Sequence, residues 1–142
     1  MGKLNHNDVS ISIVLPIPAR VLHPNFSIGS YGMRMAVASA RKKMRRLACE
    51  AVQAEGVDDA PWPKCSVKAE FHYKYNRKRD DDNANGSLKS SYDGVVDAGL
   101  VENDDHAHMT RESPEFVIDK ESQFVVLRIT RIENDENCCK NN

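Results

Sequence analysis

The chain has 142 residues, a length typical of one domain, and 40% of them are hydrophobic. Its 20 Lys and Arg residues against 21 Asp and Glu residues leave a formal net charge of −1. This excludes a uniformly basic nucleic-acid-binding protein but not one whose charges are sorted into patches. The sequence has no apolar run of the roughly 18–20 residues that span a bilayer, and residues 1–6 lack the apolar stretch of a signal peptide. We therefore expect a soluble, cytoplasmic protein.

The first predicted elements are a strand and a long helix. Residues 9–15 are apolar and rich in β-branched side chains, which predicts a strand that two prolines end. A loop is predicted over residues 19–32. From Met33, apolar residues recur at steps of three and four, and this spacing predicts a helix that Gly56 caps at its C-terminus.

The other face of this helix is basic. Between residues 33 and 56, six positive charges against two negative ones give a local charge of +4. A solvated helix surface and a surface that binds phosphate both fit this pattern. The six basic residues are Arg34, Arg41, Lys42, Lys43, Arg45 and Arg46.

The middle of the chain predicts a strand and a second helix. Apolar and polar residues alternate over residues 65–75, as in a half-buried strand. The second helix is expected after it, with Asn85 or Ser87 as N-cap and with Gly99 at its end. Its predicted buried side consists of Leu88, Tyr92, Val95 and Val96.

The last part of the chain predicts further strands over residues 115–119 and 124–132, with a short one near 106–110. The polar segment 134–142 is expected to be disordered, which leaves a single domain over residues 1–133. This order of elements predicts an α/β fold with two layers, in which two main helices cover a mixed sheet of four to five strands.

The four cysteines include no C-x-x-C pair, and their spacing does not fit a structural zinc site. We expect Cys49 and Cys65 to be reduced and at least partly buried. Cys138 and Cys139 lie in the polar tail and are expected to be exposed.

Acidic residues are concentrated in two places. Asp80 and Asp82 alternate after the predicted strand, and in an extended backbone they would point the same way. Asp104 comes from beyond the second helix, which returns the chain toward the sheet. Because three converging carboxylates repel one another, and because hard oxygen ligands suit Mg²⁺, the pattern predicts a Mg²⁺ site with Mn²⁺ as a substitute. An Asp-rich surface turn, neutralised by neighbouring basic residues, is the alternative.

A lysine in the second helix adds to the metal hypothesis. Lys89 is expected near the acids, where it could stabilise charge on a phosphate in the transition state or assist the leaving oxygen. Asp93, four residues later, could hold its ammonium group, although an ordinary surface pair explains the same spacing. His106 and His108 stand beside the later acids and are expected to face solvent.

At these residues the sequence resembles the RusA family of Holliday junction resolvases, many of which are carried by phages and prophages. The family pattern has a D-x-D-N block, a following Lys, a D-G step, an A-G pair and a closing acidic pair. In this chain the pattern stands as Asp80-Asp81-Asp82-Asn83, Lys89, Asp93-Gly94, Ala98-Gly99 and Asn103-Asp104-Asp105. The resemblance covers roughly residues 9–132.

The resemblance implies a RusA-like fold and a metal-dependent endonuclease. Such an enzyme acts as a homodimer and cuts two symmetry-related strands of a four-way DNA junction during recombination and repair. It implies that Asp80, Asp82 and Asp104 hold the metal, with Asp105 as the alternative third ligand, and that Lys89 is the catalytic lysine.

The resemblance also implies that Arg79 contacts DNA, because it stands directly before the first acid. The basic residues of the first helix and of the segment before the acids are expected to bind junction arms through phosphates. These residues are Arg41, Lys42, Lys43, Arg45, Arg46, Arg77, Lys78 and Arg79. Two other hypotheses remain open: a DNA-binding protein that does not cut, and a metal protein that does not act on nucleic acid.

Overall fold

The structure, a computed structural model, describes residues 9–133. The predicted disordered tail and its two cysteines, Cys138 and Cys139, lie outside the described residues. Within that range no helix is both long enough and apolar enough to cross a membrane. The strands are β1 (Ser10–Leu15), β2 (Lys64–Tyr73), β3 (Met109–Arg111), β4 (Glu115–Ile118) and β5 (Phe124–Ile132). The helices are α1 (Tyr31–Glu55), α2 (Asp81–Gly86) and α3 (Lys89–Asp97), and a 3₁₀ turn spans Arg20–Leu22.

A mixed sheet of five strands forms one layer of the fold. Strand β5 lies between β1 and β2 and is antiparallel to both. The other edge of β2 pairs in parallel with two short strands, β3 along its first half and β4 along its second. Because parallel neighbours need a crossover, α2 and α3 connect β2 to β3. The predicted two-layer α/β fold with a mixed sheet is confirmed.

The central strand β2 explains where the core lies. Every second residue from Cys65 to Tyr73 is buried, as the alternation predicts, and the strand ends two residues earlier than expected. Cys49 is half-buried and Cys65 is buried, and both are free thiols. This confirms the prediction that they are reduced and at least partly buried. The buried face packs against apolar side chains of the helices, among them Met44, Ala48 and Leu88.

Helix α1 begins two residues before the predicted start. Ser30 caps it, because its hydroxyl accepts a hydrogen bond from the backbone N–H of Met33 at 3.1 Å. Gly56 ends it in the left-handed conformation, with φ of 66°, as the sequence predicts. The side chains that α1 buries are Val37, Met44, Ala48 and Val52.

The second predicted helix is in fact two helices. Helix α2 begins at Asp81, before the predicted caps Asn85 and Ser87, so that prediction is wrong. Helix α3 then follows; Leu88, directly before it, and Tyr92 and Val95 within it are buried against the core, as predicted, whereas Val96 is partly buried. Gly99 follows the end of α3 with a positive φ of 86°, which confirms the predicted end.

Helices α1 and α3 approach closely at a glycine. A Cβ atom on Gly94 would lie 2.2 Å from the carbonyl oxygen of Arg45 and 2.9 Å from Cβ of Ala48. The contact fixes the middle of α3 relative to the long helix, and Lys89 stands five residues before it in the same helix.

Candidate active site

The acidic segment forms the start of a helix. Asp80 is the N-cap of α2, and its Oδ1 accepts a hydrogen bond from the backbone N–H of Asp82 at 3.0 Å. The predicted extended backbone across these acids is therefore wrong. Capping by Asp80, together with favourable interaction of Asp81 and Asp82 with the helix dipole, favours the helix. The side chain of Asp82 is left exposed in the first turn.

An ion cluster joins the start of α3 to the loop beyond it. The Nζ atom of Lys89 lies 2.9 Å from Oδ1 of Asp93 and 2.8 Å from Oδ2 of Asp104. Nη2 of Arg111, in β3, lies 3.1 Å from the same Asp104 oxygen and 3.1 Å from the Asp104 carbonyl oxygen. The structure thus brings together Lys89 and Asp104, as the sequence hypothesis requires, and adds Arg111, which sequence reasoning missed.

These contacts change the acidity of both partners. The hydrogen bonds to Asp104 and then to Asp93 raise the pKa of Lys89 above its usual value. The hydrogen bond from Lys89, followed by the nearby charges of Lys89 and Arg111, lowers the pKa of Asp104. Lys89 therefore keeps its positive charge at neutral pH. A raised pKa makes an ammonium group a weaker proton donor, which favours electrostatic stabilisation over donation to a leaving oxygen.

A chain of polar contacts ties α2 to the same edge of the sheet. Nδ2 of Asn85 donates to the carbonyl oxygen of Glu112 at 3.2 Å, and the hydroxyl of Tyr92 donates to Oδ1 of Asn85 at 3.3 Å. The guanidinium of Arg111 lies 4.7 Å from the centre of the Tyr92 ring. Asp82 stands three residues before Asn85, about one helical turn away. Helix α2 is therefore anchored beside the loop and strand that hold the ion cluster.

The carboxylates do not form a ready metal site. In the part of the chain from residue 9 to residue 133, no three His, Cys, Asp or Glu side chains are placed so that they could hold a metal ion. Asp104 is compensated by two side-chain cations, and Asp80 caps a helix. The donors themselves are carboxylate oxygens, which fit Mg²⁺. In this arrangement a metal would have to share Asp104 with Lys89 and Arg111.

The two members of the later acidic pair have different partners. Oδ1 of Asp105 lies 2.7 Å from Nδ1 of His108 and accepts a hydrogen bond from the His108 backbone N–H at 3.2 Å. The hydrogen bond with His108 lowers the pKa of Asp105. Of the pair, Asp104 contacts Lys89. His106 is exposed, as expected, whereas His108 is partly buried.

The basic face of α1 is partly compensated by acids. Arg45 forms a bidentate ion pair with Asp97 of α3, with distances of 2.5 and 2.8 Å. Arg46 lies 3.4 Å from Glu50, one turn along the same helix. The remaining predicted phosphate-binding residues of this face are exposed and, within the described residues, form no ion pair; they are Arg41, Lys42 and Lys43.

The basic segment before α2 is held against an aromatic side chain. The guanidinium carbon of Arg79 lies 3.4 Å from the centre of the Tyr73 ring, and Nη2 donates to the carbonyl oxygen of Tyr75 at 3.3 Å. Arg77 and Lys78 are exposed. The predicted DNA contact Arg79 therefore has a fixed orientation.

The loop before α1 lies beside the ion cluster, and its residues 23–26 form what we call the loop wall. Asn83 of α2 holds it, because Nδ2 lies 2.6 Å from Nδ1 of His23 and Oδ1 accepts from the Asn25 backbone N–H at 3.4 Å. Gly86 lies against Pro24, where a Cβ atom would be 2.3 Å from Cγ of the ring. Sequence reasoning placed Asn83 in a motif without giving it this role.

This wall encloses a cavity of about 390 Å³. Phe26, Arg41, Lys89 and Asp93 are among the residues that line it. The ammonium group of the cluster therefore lies at a concave surface large enough for part of a ligand.

His23 should make stability depend on pH. Burial, and then the charges of Arg20 and Arg79, lower the pKa of His23 below its usual value of 6.5. The folded state therefore binds the proton less well than the unfolded state. We expect the free energy of unfolding to fall as the pH decreases below about 6.5, with the loss complete below the folded-state pKa.

Urea unfolding of wild type and of His23→Gln between pH 7.5 and 5 measures this effect. The difference between the two proteins in free energy of unfolding should change over that range. A constant difference would contradict the assignment to His23.

Comparison with protein-family models and with curated proteins found no match to this chain.

Proposed function

We propose that the chain is a Mg²⁺-dependent endonuclease of the RusA type, which cuts four-way DNA junctions as a homodimer. The observation that carries the proposal is the 2.8 Å contact between Lys89 and Asp104. The hypothesis requires a lysine from one helix and an acid from the loop after it to meet, and these residues are far enough apart in sequence that local spacing does not force the contact.

Lys89 supplies a fixed positive charge for a phosphate. Its ammonium group is held between two carboxylates, yet its side chain is 59% exposed and lines the cavity next to α3. A phosphate oxygen that enters this cavity can accept a hydrogen bond from Nζ while Asp93 and Asp104 keep the ammonium in place. Such a donor lowers the barrier when charge develops on the phosphate in the transition state.

The acids supply the donors for Mg²⁺. Asp80, Asp82 and Asp104 would hold it, with Mn²⁺ as a substitute, after a movement that brings together carboxylates which form no metal-holding group within residues 9–133. When bound, Mg²⁺ would act as a Lewis acid on the phosphodiester and activate water for attack. Arg111 would limit the negative charge at Asp104 and orient its carboxylate through the contact at 3.1 Å.

The exposed cations would bind the arms of the junction. Arg41 lines the same cavity as Lys89, and Lys42 and Lys43 follow it on the exposed side of α1. Contacts of this kind position the duplex through phosphates and carry little base information.

A DNA-binding protein that does not cut is the second candidate. The observation that favours it is the double compensation of Asp104 by Lys89 and Arg111, which makes the cluster stable without a metal. The same exposed cations would then bind DNA, and cleavage would be absent.

Cleavage of a synthetic four-way junction tests the proposal. We expect wild type to cut the junction with Mg²⁺, to cut linear duplex of the same sequence far more slowly, and to stop cutting in EDTA. Lys89→Gln should lower the rate by about a hundredfold, because a single well-placed donor is lost. Lys120→Gln, an exposed lysine in the loop between β4 and β5, is the matched control and should cut like wild type.

Tight binding of the junction by wild type without cutting would favour the second candidate. No binding and no cutting would contradict both. Equal rates for Lys89→Gln and wild type would contradict the catalytic role of Lys89 and remove the structural observation that carries the proposal.

A further inference from the structure

A second cavity lies on the other side of the loop wall. Its volume is about 620 Å³, and three arginines line it: Arg20 from the 3₁₀ turn, and Arg77 and Arg79 from the segment before α2. His23 and Phe26 line both this cavity and the one beside Lys89. The two cavities are therefore neighbours that share a wall.

The positive charge of this cavity is uncompensated. Over residues 9–133, none of the three arginines forms an ion pair, and no Asp or Glu is among the residues that line the cavity. Asp80 lines a smaller neighbouring cavity together with Arg79. Arg45, by contrast, is paired with Asp97. Three arginines that share a cavity without an acid favour an anionic ligand.

One of the arginines is already oriented. Arg79 stacks on Tyr73 and donates to the carbonyl oxygen of Tyr75, so little side-chain entropy is lost when its remaining N–H groups bind a ligand. The position of His23 agrees with a cationic cavity. Burial, and then the positive charges of Arg20 and Arg79, lower the pKa of His23, and its Nδ1 lies 2.6 Å from Nδ2 of Asn83.

We infer that this cavity is a phosphate-binding subsite, and that the phosphate it takes belongs to the backbone of a DNA strand. Arginine groups bind phosphate with two parallel hydrogen bonds, and the volume exceeds that of a phosphate alone, which leaves room for the attached sugar. A strand that places one phosphate here and another beside Lys89 passes over the shared wall at Phe26. The inference rests on the proposed function for the source of the phosphate; it does not require cleavage.

Histidine NMR locates phosphate binding without any measurement of activity. Wild type labelled with ¹³C-histidine is titrated with inorganic phosphate, and the His23 resonance is assigned with His23→Gln. We expect the His23 resonance to shift, because a bound anion would change the electric field that the arginines produce at its ring. The resonances of His72 and His108 should stay unchanged. In the double variant Arg20→Gln/Arg77→Gln the shift should disappear. These two arginines are exposed, and Arg79 is kept because it packs on Tyr73.

Junction binding in EDTA tests whether the phosphate comes from DNA. The double variant should bind a fluorescent four-way junction about tenfold or more weakly than wild type, and the slope of log K against log salt should fall by about 1, because one phosphate contact is lost. Arg128→Gln/Lys120→Gln is the matched control, since it also removes two positive charges from exposed residues, and both lie outside the cavity. Thermal unfolding of each variant verifies that it is folded.

The outcomes separate the sources of phosphate. A shift of His23 with phosphate and weaker junction binding by the double variant support the inference, whether or not wild type cuts. A shift of His23 with unchanged junction binding would mean that the cavity takes free phosphate, and it would contradict the DNA assignment. Equal shifts of all histidines, or no shift of His23, would overturn the subsite. Binding without cutting would overturn the nuclease proposal alone.

Discussion

Asp82→Asn is expected to reduce cleavage of a four-way junction about a thousandfold, because loss of a metal ligand removes several kcal/mol of transition-state stabilisation. Junction binding should be retained or strengthened, since a negative charge near the phosphates is removed. The side chain is exposed in the first turn of α2, so the amide should leave the fold intact. Single-turnover rates with Mg²⁺, together with binding measured in EDTA, test both parts of this prediction.

Asp81→Asn is the matched control for Asp82→Asn. It changes the charge equally in the same helical turn, but it stands outside the alternate pair of acids. Asp80→Asn should behave like Asp82→Asn, because Asn caps a helix about as well as Asp does and the fold is preserved. Equal rates for the Asp81 and Asp82 variants would contradict the metal assignment, as would a loss of junction binding in Asp82→Asn.

Gly94→Ala is expected to destabilise the protein by about 1–3 kcal/mol, with a decrease in Tm on the order of 5–10 °C. The added methyl group would meet the Arg45 carbonyl oxygen at 2.2 Å, and backbone atoms of a long helix cannot move aside without shifting the whole contact. The usual gain of roughly 1 kcal/mol from Gly to Ala in a helix is smaller than this clash. Urea and thermal unfolding measure the effect.

Gly32→Ala is the control for this packing argument. Gly32 also lies in a helix, but a Cβ atom there would have no atom within 4 Å. We expect this variant to be as stable as wild type or slightly more stable. If Gly94→Ala were equally stable, α1 and α3 would have to pack less closely than the structure shows.

The fold was largely predictable because local signals and burial agree. The alternation along β2 predicts the face that is buried, and the apolar spacing of α1 together with Gly56 predicts where that helix lies and ends. The two-layer arrangement follows from the order of such elements. The pairing of β3 and β4 with one edge of β2 was not predictable, because short strands carry weak sequence signals and their partners are far along the chain.

The acidic segment shows where sequence reasoning fails. Because three aspartates follow a predicted strand, the sequence favours an extended backbone across them. In the structure Asp80 instead accepts a hydrogen bond from the backbone N–H of Asp82 and caps a helix. The competing signal was present, because Asp is among the best N-cap residues and an acidic first turn interacts well with the helix dipole. The alternation of apolar and polar residues in the preceding strand favoured an extended backbone more strongly than the capping signal favoured a helix.

The candidate site was predictable in part. The pair Lys89 and Asp93 follows from helical spacing, and the approach of Asp104 was expected because the helix before it returns the chain toward the sheet. The contacts of Arg111 with Asp104 and of Asn83 with His23 depend on how loops pack in three dimensions. No local pattern encodes such contacts, so the sequence alone could not predict them.

The hydrogen bonds of Asn83 have a consequence for how the protein would respond to a ligand. Asn83 follows Asp82 directly and hydrogen-bonds to His23 and Asn25 of the loop before α1. Helix α2, which carries the acids, is therefore expected to move together with the loop wall, which lines the cavities. A displacement of α2 that brought Asp82 toward Asp104 would pull this wall with it and reshape both cavities at once. Ligand binding in either cavity and movement of the carboxylates of α2 would therefore be energetically coupled.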